Sequence, residues 1–327
     1  MSGLTTPSAG FKPFRYPKAY DFWKRQQQTH WLQDEVPMAG DILDFQQKLP
    51  AHEVNLLTQI FRFFTQADIE VNDCYHKHYM KIFQPTEIIM MLTAFANMET
   101  IHIAAYSHLL ESVGMPETEY SAFLEYGEMK DKSDYLKKFN TDTPFDIALT
   151  MAAFGAFTEG LQLFASFAIL LNFPRKNKMK GMGQIVTWSV RDESLHCEGI
   201  MWLFHQWLAE HPEINRQRLS VELAAICREV VEHEDRFIDL AFEMGDVDGL
   251  TANEVKRYIR YIANMRMRQL GFGNLFEGLE RNPLPWLEEI LNGVEHANFF
   301  EQRATEYTRS GAKGSWPNVW SRVDNRV

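Results

Sequence analysis

The chain has 327 residues, 45% apolar and 24% charged, enough to bury a large core, and 33 basic against 44 acidic residues leave a net charge of −11. That balance excludes a general nucleic-acid binder. Three scattered cysteines, Cys74, Cys197 and Cys227, with no CxxC pair, exclude a disulfide framework and a zinc knuckle and fit a reducing, cytoplasmic setting.

Residues 1–30 carry Gly3, Pro7, Gly10, Pro13 and Pro17 without a basic start and apolar run, which predicts an extended N-terminal arm and no secretion signal. From Pro50 onward one helix follows another, broken at Pro or Gly, and no stretch alternates as a strand would. No linker divides the chain, so residues 1–327 are read as one domain. The first long helix is predicted over Ala51 to Phe83. Its apolar row Ile60, Phe64, Val71, Tyr75 takes in Asp68 at helical spacing, an acid on a core-facing row.

The second helix, Thr86 to Val113, should stop at Gly114 with Pro116 just beyond. It carries Glu99, His102 and Tyr106, three and seven residues apart and so on one helical face. Glu117 to Lys138 is charged and reads as a solvated helix pair. Asp142-Thr-Pro opens a third helix whose row Ala152, Ala156, Leu163, Phe167, Leu170 encloses Glu159, and Pro174 with the basic residues after it ends it. Phe145 to Phe173 is apolar enough for a membrane span, but Asp146, Glu159 and Gln162 within it favour a buried core helix.

The fourth helix, Gln184 to Glu210, repeats the Glu-x-x-His spacing at Glu193 and His196. Ser220 to Met244 and Glu254 to Leu270 supply outer amphipathic helices; Asn298 to Tyr307 closes the ordered part, and 311–327 form a mobile tail. Glu229, Glu232, His233 and Glu234, like His76 and His78, read as solvated faces. Gly181-Met-Gly183 and Gly271-Phe-Gly273 are too short and wrongly placed for phosphate loops, so the chain has no nucleotide site of its own.

Asp68, Glu99, His102, Glu159, Glu193 and His196 thus fall one, two, one and two on four long helices, close to the pattern of di-iron carboxylate bundles. Charge explains the number. Four carboxylates and two neutral imidazoles neutralise two divalent ions, whereas four bare acids in an apolar core would repel one another and protonate. Oxygen and imidazole donors suit iron or manganese better than zinc, and do not choose between those two.

Phe63-Phe64-x3-Asp68, Glu99-Thr-Ile-His102-x3-Tyr106, Glu159-Gly with Ser166-Phe-Ala168, Arg191-Asp-Glu193-x2-His196-Cys and Asn298-Phe-Phe-Glu301 together resemble the small, radical-generating subunit of class I ribonucleotide reductase. The resemblance spans about Trp31 to Tyr307, and the intervals of 31 residues from Asp68 to Glu99 and 34 from Glu159 to Glu193 suit the family. It implies an all-α, ferritin-like helical bundle with additional outer helices, a homodimer, and a dimetal centre that oxygen activates. Iron is the first expectation, with manganese or a mixed pair left open. It further implies a tyrosyl radical at Tyr106, passed to a separate large subunit that reduces ribonucleotides. Trp31 and Asp192 match the start of the family's radical path, through His102, and Tyr307 matches the tyrosine that hands the radical over. The need for an activating flavoprotein is not decided.

Three features depart from the family. Leu163 and Ser189 stand near the tyrosine where several members carry apolar aromatic or aliphatic groups, and the tail, with Trp316, Trp320, Lys313, Arg322 and Arg326, is unlike the family's acidic tails. The rival enzyme reading is a ferritin-like dimetal oxidase or oxygenase acting directly on a small substrate, and the non-enzymatic one is iron storage, which has no use for Tyr106 or Trp31.

Overall fold

The computed structural model describes residues 3–10 and 12–291. The Asn298 to Tyr307 run, Tyr307 itself and the tail lie outside the described residues. Among the described residues helices carry the fold and no strand occurs, the principal helices being α1 Pro17–Gln28, α2 Ala39–Leu43, α3 Ala51–Cys74, α4 Thr86–Val113, α5 Gly127–Leu136, α6 Pro144–Arg175, α7 Lys180–Glu210, α8 Arg216–Ala241 and α9 Ala252–Gln269. Helices α3, α4, α6 and α7 form the inner bundle. The apolar run 150–173 of α6 is buried inside the protein, as expected of a core helix. Chains of this composition satisfy their backbone within helices, and four apolar stripes facing one another then exclude water from whatever they enclose.

Several boundaries follow local chemistry. Gly114 takes φ 81° at the end of α4, where Met115 N–H bonds back to Leu110 at 3.0 Å, a left-handed stop that glycine adopts without strain. Thr143 and Asp146 cap each other's backbone at the start of α6, with Pro144 at its first position.

Other boundaries correct the sequence reading. The arm expected over 1–30 is helical at Pro17–Gln28: Pro17 is a favourable first helical residue rather than a breaker, and Ala19, Phe22 and Gln26 recur at helical spacing and are buried. Helix α7 begins at Lys180, ahead of the predicted Gln184, because it is capped from a distance. The Asp41 carboxylate accepts from the N–H groups of Gly181 at 2.9 Å and Met182 at 2.6 Å, and Asp44 accepts from Met179 N–H at 2.9 Å. The predicted helix to Phe83 widens into a π-turn at Tyr75–Tyr79.

Glu117 to Lys138 is not a solvated pair of helices. Two 3-10 turns precede α5, and Lys132 on α5 is 1% exposed, its ammonium 2.6 Å from the fully buried Glu234 of α8 and 3.9 Å from the centre of the Phe63 ring. Glu234 and His233 are therefore buried rather than on a solvated face. Only the pairing makes a charge tolerable there. Lys132→Met, which strands Glu234, is expected to lower unfolding stability by about 3–5 kcal/mol, and Lys132→Met with Glu234→Leu to recover most of it. Denaturant unfolding checks both; an unchanged single variant would show that the pair contributes nothing.

Candidate metal centre

Each inner helix turns one or two polar groups into the apolar interior. α3 presents Asp68, α4 Glu99 and His102, α6 Glu159, and α7 Glu193 and His196, all at most 1% exposed. Glu159 lies on a π-helical stretch, Ala152–Gln162, inside α6. This register is built by tight packing: a Cβ on Gly155 would fall 2.4 Å from Ile200, and one on Gly160 would fall 2.7 Å from Arg266 and Cys197. The Gly160 carbonyl accepts from Arg266 Nε at 2.7 Å, so a backbone group inside this stretch is satisfied by a neighbouring helix.

The six side chains converge as two groups that share members. Ligand atoms of Asp68, Glu99, His102 and Glu193 all lie within 4.8 Å of one another, and so do those of Glu99, Glu159, Glu193 and His196. Glu99 and Glu193 belong to both. His102 Nδ1 is 3.2 Å from Glu193 and 3.4 Å from Glu99, and His196 Nδ1 is 2.9 Å from Glu99. A metal with bonds of about 2.1 Å separates its ligand atoms by up to about 4.2 Å, so each group is a small side-chain adjustment away from closing on an ion.

The donor set passes a further test of fit. Asp68 Oδ2, both Glu99 oxygens, Glu193 Oε2 and the Nδ1 atoms of His102 and His196 are buried with no hydrogen-bond partner. Leaving such atoms unpaired costs about 1–3 kcal/mol each, and all point at the same interior space. Protonation reflects the same crowding. Burial and then neighbouring acids raise Glu159, and burial with Glu99 and Glu193 raises Asp68 against the pull of the two histidines. Burial would lower His196, but Glu193 and Glu99 hold its imidazole up to about 10. Two divalent cations would take over the charge that these protons now balance.

Around the six lies a polar collar. Trp31, 2% exposed, donates its indole N–H to Asp192 Oδ2 at 2.8 Å, and the same oxygen is 3.4 Å from His102 Nε2. The structure thus brings Trp31, Asp192 and His102 together in that order. Burial raises the Asp192 carboxyl, but His102, Arg191 and Trp31 more than offset it and keep it below the usual carboxylate range. Gln26 of α1 was not singled out in the sequence. It donates to Asp192 Oδ1 at 3.2 Å and offers Oε1 to His196 Nε2 at 3.1 Å, orienting a ligand as such outer partners do. Nothing in the run of three glutamines marks it; only the docking of α1 does.

Tyr106, 1% exposed, donates its hydroxyl to Ser189 Oγ at 3.1 Å, with the Phe64 ring edge-on at 4.6 Å and Phe167 packed against Phe64. Burial, and then the Asp68 charge, push its phenol well above the usual range. Tyr75, which the sequence offered only as an apolar-row residue, donates its hydroxyl to Glu159 Oε1 at 2.7 Å. Cys197, next to His196 in the chain, is buried.

Comparison with known proteins agrees with this geometry. The sequence pattern of the family described as "Ribonucleotide reductase, small chain" matches residues 8–283. A protein of Invertebrate iridescent virus 6 named "Probable ribonucleoside-diphosphate reductase small subunit 376L" is 41% identical over 349 residues, covering 95% of this chain and 97% of its own. The ribonucleoside-diphosphate reductase subunit beta of Chlamydia pneumoniae is 28% identical over 91% of this chain and 90% of its own. The ribonucleotide reductase R2 subunit from Clostridium botulinum superposes with a TM-score of 0.81 at 22% identity, over 88% of this chain and 92% of that one. The dimanganese(II)-NrdF of Streptococcus sanguinis superposes at 0.76 and 19%, over 87% and 99%. With a matching family pattern over most of its length, and the fold and buried carboxylate-histidine cluster already in place, the chain belongs to the small-chain family of ribonucleotide reductase, as the small-subunit component of ribonucleoside-diphosphate reductase, an oxidoreductase.

Proposed function

We propose that this chain holds two metal ions between Asp68, Glu99, His102, Glu159, Glu193 and His196 and stores an oxidising equivalent as a radical on Tyr106. The observation that carries this reading is the pair of four-residue ligand groups sharing Glu99 and Glu193, with Tyr106 on the same face of α4 as two of the ligands. Iron or manganese, activated by dioxygen or a reduced oxygen species, would supply the one-electron oxidation of a phenol.

Every other part is done by side chains. Glu99 and Glu193, members of both groups, would serve both ions, Asp68 and His102 one of them and Glu159 and His196 the other. Burial of Tyr106 among Phe64 and Phe167 excludes water that would quench a radical, and Ser189 fixes the phenol's orientation. Trp31, hydrogen-bonded to Asp192 and through it to His102, is the first station by which the oxidising equivalent leaves toward a large subunit, and Tyr307 is the last on this chain. Exposed Ile69 on α3 and Ile89 on α4 support an outer apolar face for a homodimer.

The test is reconstitution. The metal-loaded chain mixed with a ribonucleotide reductase large subunit is expected to copurify with it and to reduce a ribonucleoside diphosphate, with neither chain active alone. Oxidation of a small apolar compound by this chain by itself, with no reduction in the mixture, would overturn the reading in favour of a direct oxidase.

A further inference from the structure

Two tyrosines, not one, flank the ligand cluster, and they stand at opposite ends of it. Tyr106 follows Glu99 by seven residues on α4, and Tyr75 follows Asp68 by seven residues at the end of α3. Of the cluster's acids Asp68 acts most strongly on Tyr106, whereas Glu159 and Glu99 act on Tyr75. Their hydrogen bonds differ in kind. Tyr106 donates to a neutral serine hydroxyl, and Tyr75 donates to a carboxylate at 2.7 Å. A phenol that loses an electron becomes strongly acidic, so a carboxylate already on its hydroxyl lets the proton leave in the same step.

Tyr75 also leads somewhere. Its ring meets Tyr79 edge-on at 5.5 Å, Tyr79 lies 6.3 Å from Phe83, and Phe83 lies 5.8 Å from Trp207. Trp207 packs at 3.9 Å on His211, whose side chain is 23% exposed. Tyr75, Tyr79 and Phe83 recur every four residues, so one face of the π-turn and the residues after it lines the route from cluster to surface. The rings that lead away from Tyr106, Phe64 then Phe167 and Phe164, are all phenylalanines, which cannot be oxidised at ordinary potentials, whereas the row from Tyr75 offers two oxidisable rings, Tyr79 and Trp207, with Phe83 only as the packed medium between them.

We propose that Tyr75 is a second redox-active tyrosine, which discharges the oxidised metal pair rather than storing its oxidising equivalent, and which is refilled from the surface through Trp207 and Tyr79, with the Phe83 ring as the packed medium between those two. This rests on the dimetal reading above. In the first step the Tyr75 O–H bond breaks, the electron reduces the oxygen-oxidised metal pair by one, and the proton goes to Glu159 Oε1, leaving a neutral phenoxyl. In the second, a one-electron reductant in solution delivers an electron by way of Trp207. The proton returns from Glu159, the O–H bond re-forms, and the reductant is oxidised by one electron. Tyr106, with no oxidisable ring in the row leading away from it, keeps its radical; Tyr75 does not.

Freeze-quench electron paramagnetic resonance on full-length chain loaded with ferrous iron and mixed with dioxygen tests this, with ring-deuterated tyrosine marking tyrosyl signals. Wild type is expected to show a long-lived tyrosyl signal. Tyr106→Phe should show only a short-lived one, absent from Tyr75→Phe/Tyr106→Phe that still binds two irons by elemental analysis. With ascorbate present, adding Trp207→Phe to Tyr106→Phe should lengthen that signal's life at least about tenfold. A tyrosyl signal that persists in the double variant, or one that never forms in Tyr106→Phe, overturns the role of Tyr75 alone. If the double variant loses its metal, the Trp207→Phe lifetime decides, and an unchanged lifetime overturns the route. Absence of any tyrosyl signal in wild type with two irons bound and oxidised overturns the Tyr106 assignment and this one together.

Discussion

Glu193→Ala is expected to lose both metal ions, not one. Glu193 belongs to both ligand groups, and each of its oxygens faces a different histidine, Oε1 toward His102 at 3.2 Å and Oε2 toward His196 at 3.7 Å. Removing an outer partner of a ligand already weakens metal binding about 10–100-fold, so loss of a bridging ligand exceeds that for each ion. Asp68→Ala is the contrasting variant, because Asp68 belongs to one group only and its loss leaves Glu99, Glu159, Glu193 and His196 intact. Elemental analysis after ferrous or manganous loading should give near zero metal per chain for the first and about one for the second. Circular dichroism should show both still helical. Two metals retained in Glu193→Ala would remove this residue from the ligand set.

Tyr106→Phe is expected to abolish the long-lived tyrosyl signal and, with it, nucleotide reduction in the mixture with a large subunit, while two metals stay bound. The substitution deletes one hydroxyl. That hydroxyl touches Ser189 and no ligand in the hydrogen-bond network, so the cluster keeps its six donors and the ring keeps its contact with Phe64. Loss of the O–H removes the bond whose cleavage lets a buried ring be oxidised without leaving a positive charge in an apolar core, which is costly there. Metal content equal to wild type together with loss of the stable signal separates this outcome from a folding defect. A long-lived signal unchanged in the variant would place the stored radical on another residue.

The six converging residues were legible because each is a polar exception in an apolar helical row, and a period of 3.6 places such exceptions without knowledge of the packing. Tyr106 was legible for the same reason, seven residues from Glu99. Lys132 and Glu234 were not, since each sits in a charged stretch of its own helix, and only the meeting of α5 with α8 shows that they are buried against each other. The start of α7 was misplaced for a related reason: its caps, Asp41 and Asp44, lie well over a hundred residues away along the chain. Residues 17–28 were read as extended because proline was taken as a breaker, when at the first turn of a helix it is a starter.

Sequence by itself determined the class of fold, the four inner helices and the six side chains that converge between them, because helical periodicity and hydrophobic exclusion act locally and repeat. It also determined that the charge of these acids needs balancing, since that is a matter of counting charges. Only the tertiary structure decided which donors share a position, with Glu99 and Glu193 in both groups and Asp68 and Glu159 at opposite ends. It alone revealed Gln26 behind His196 and Tyr75 on Glu159, and it turned the expected nearness of Ser189 to Tyr106 into a hydrogen bond. Each of these is a hydrogen bond between helices far apart in the chain, fixed by how two faces dock rather than by any period within one of them.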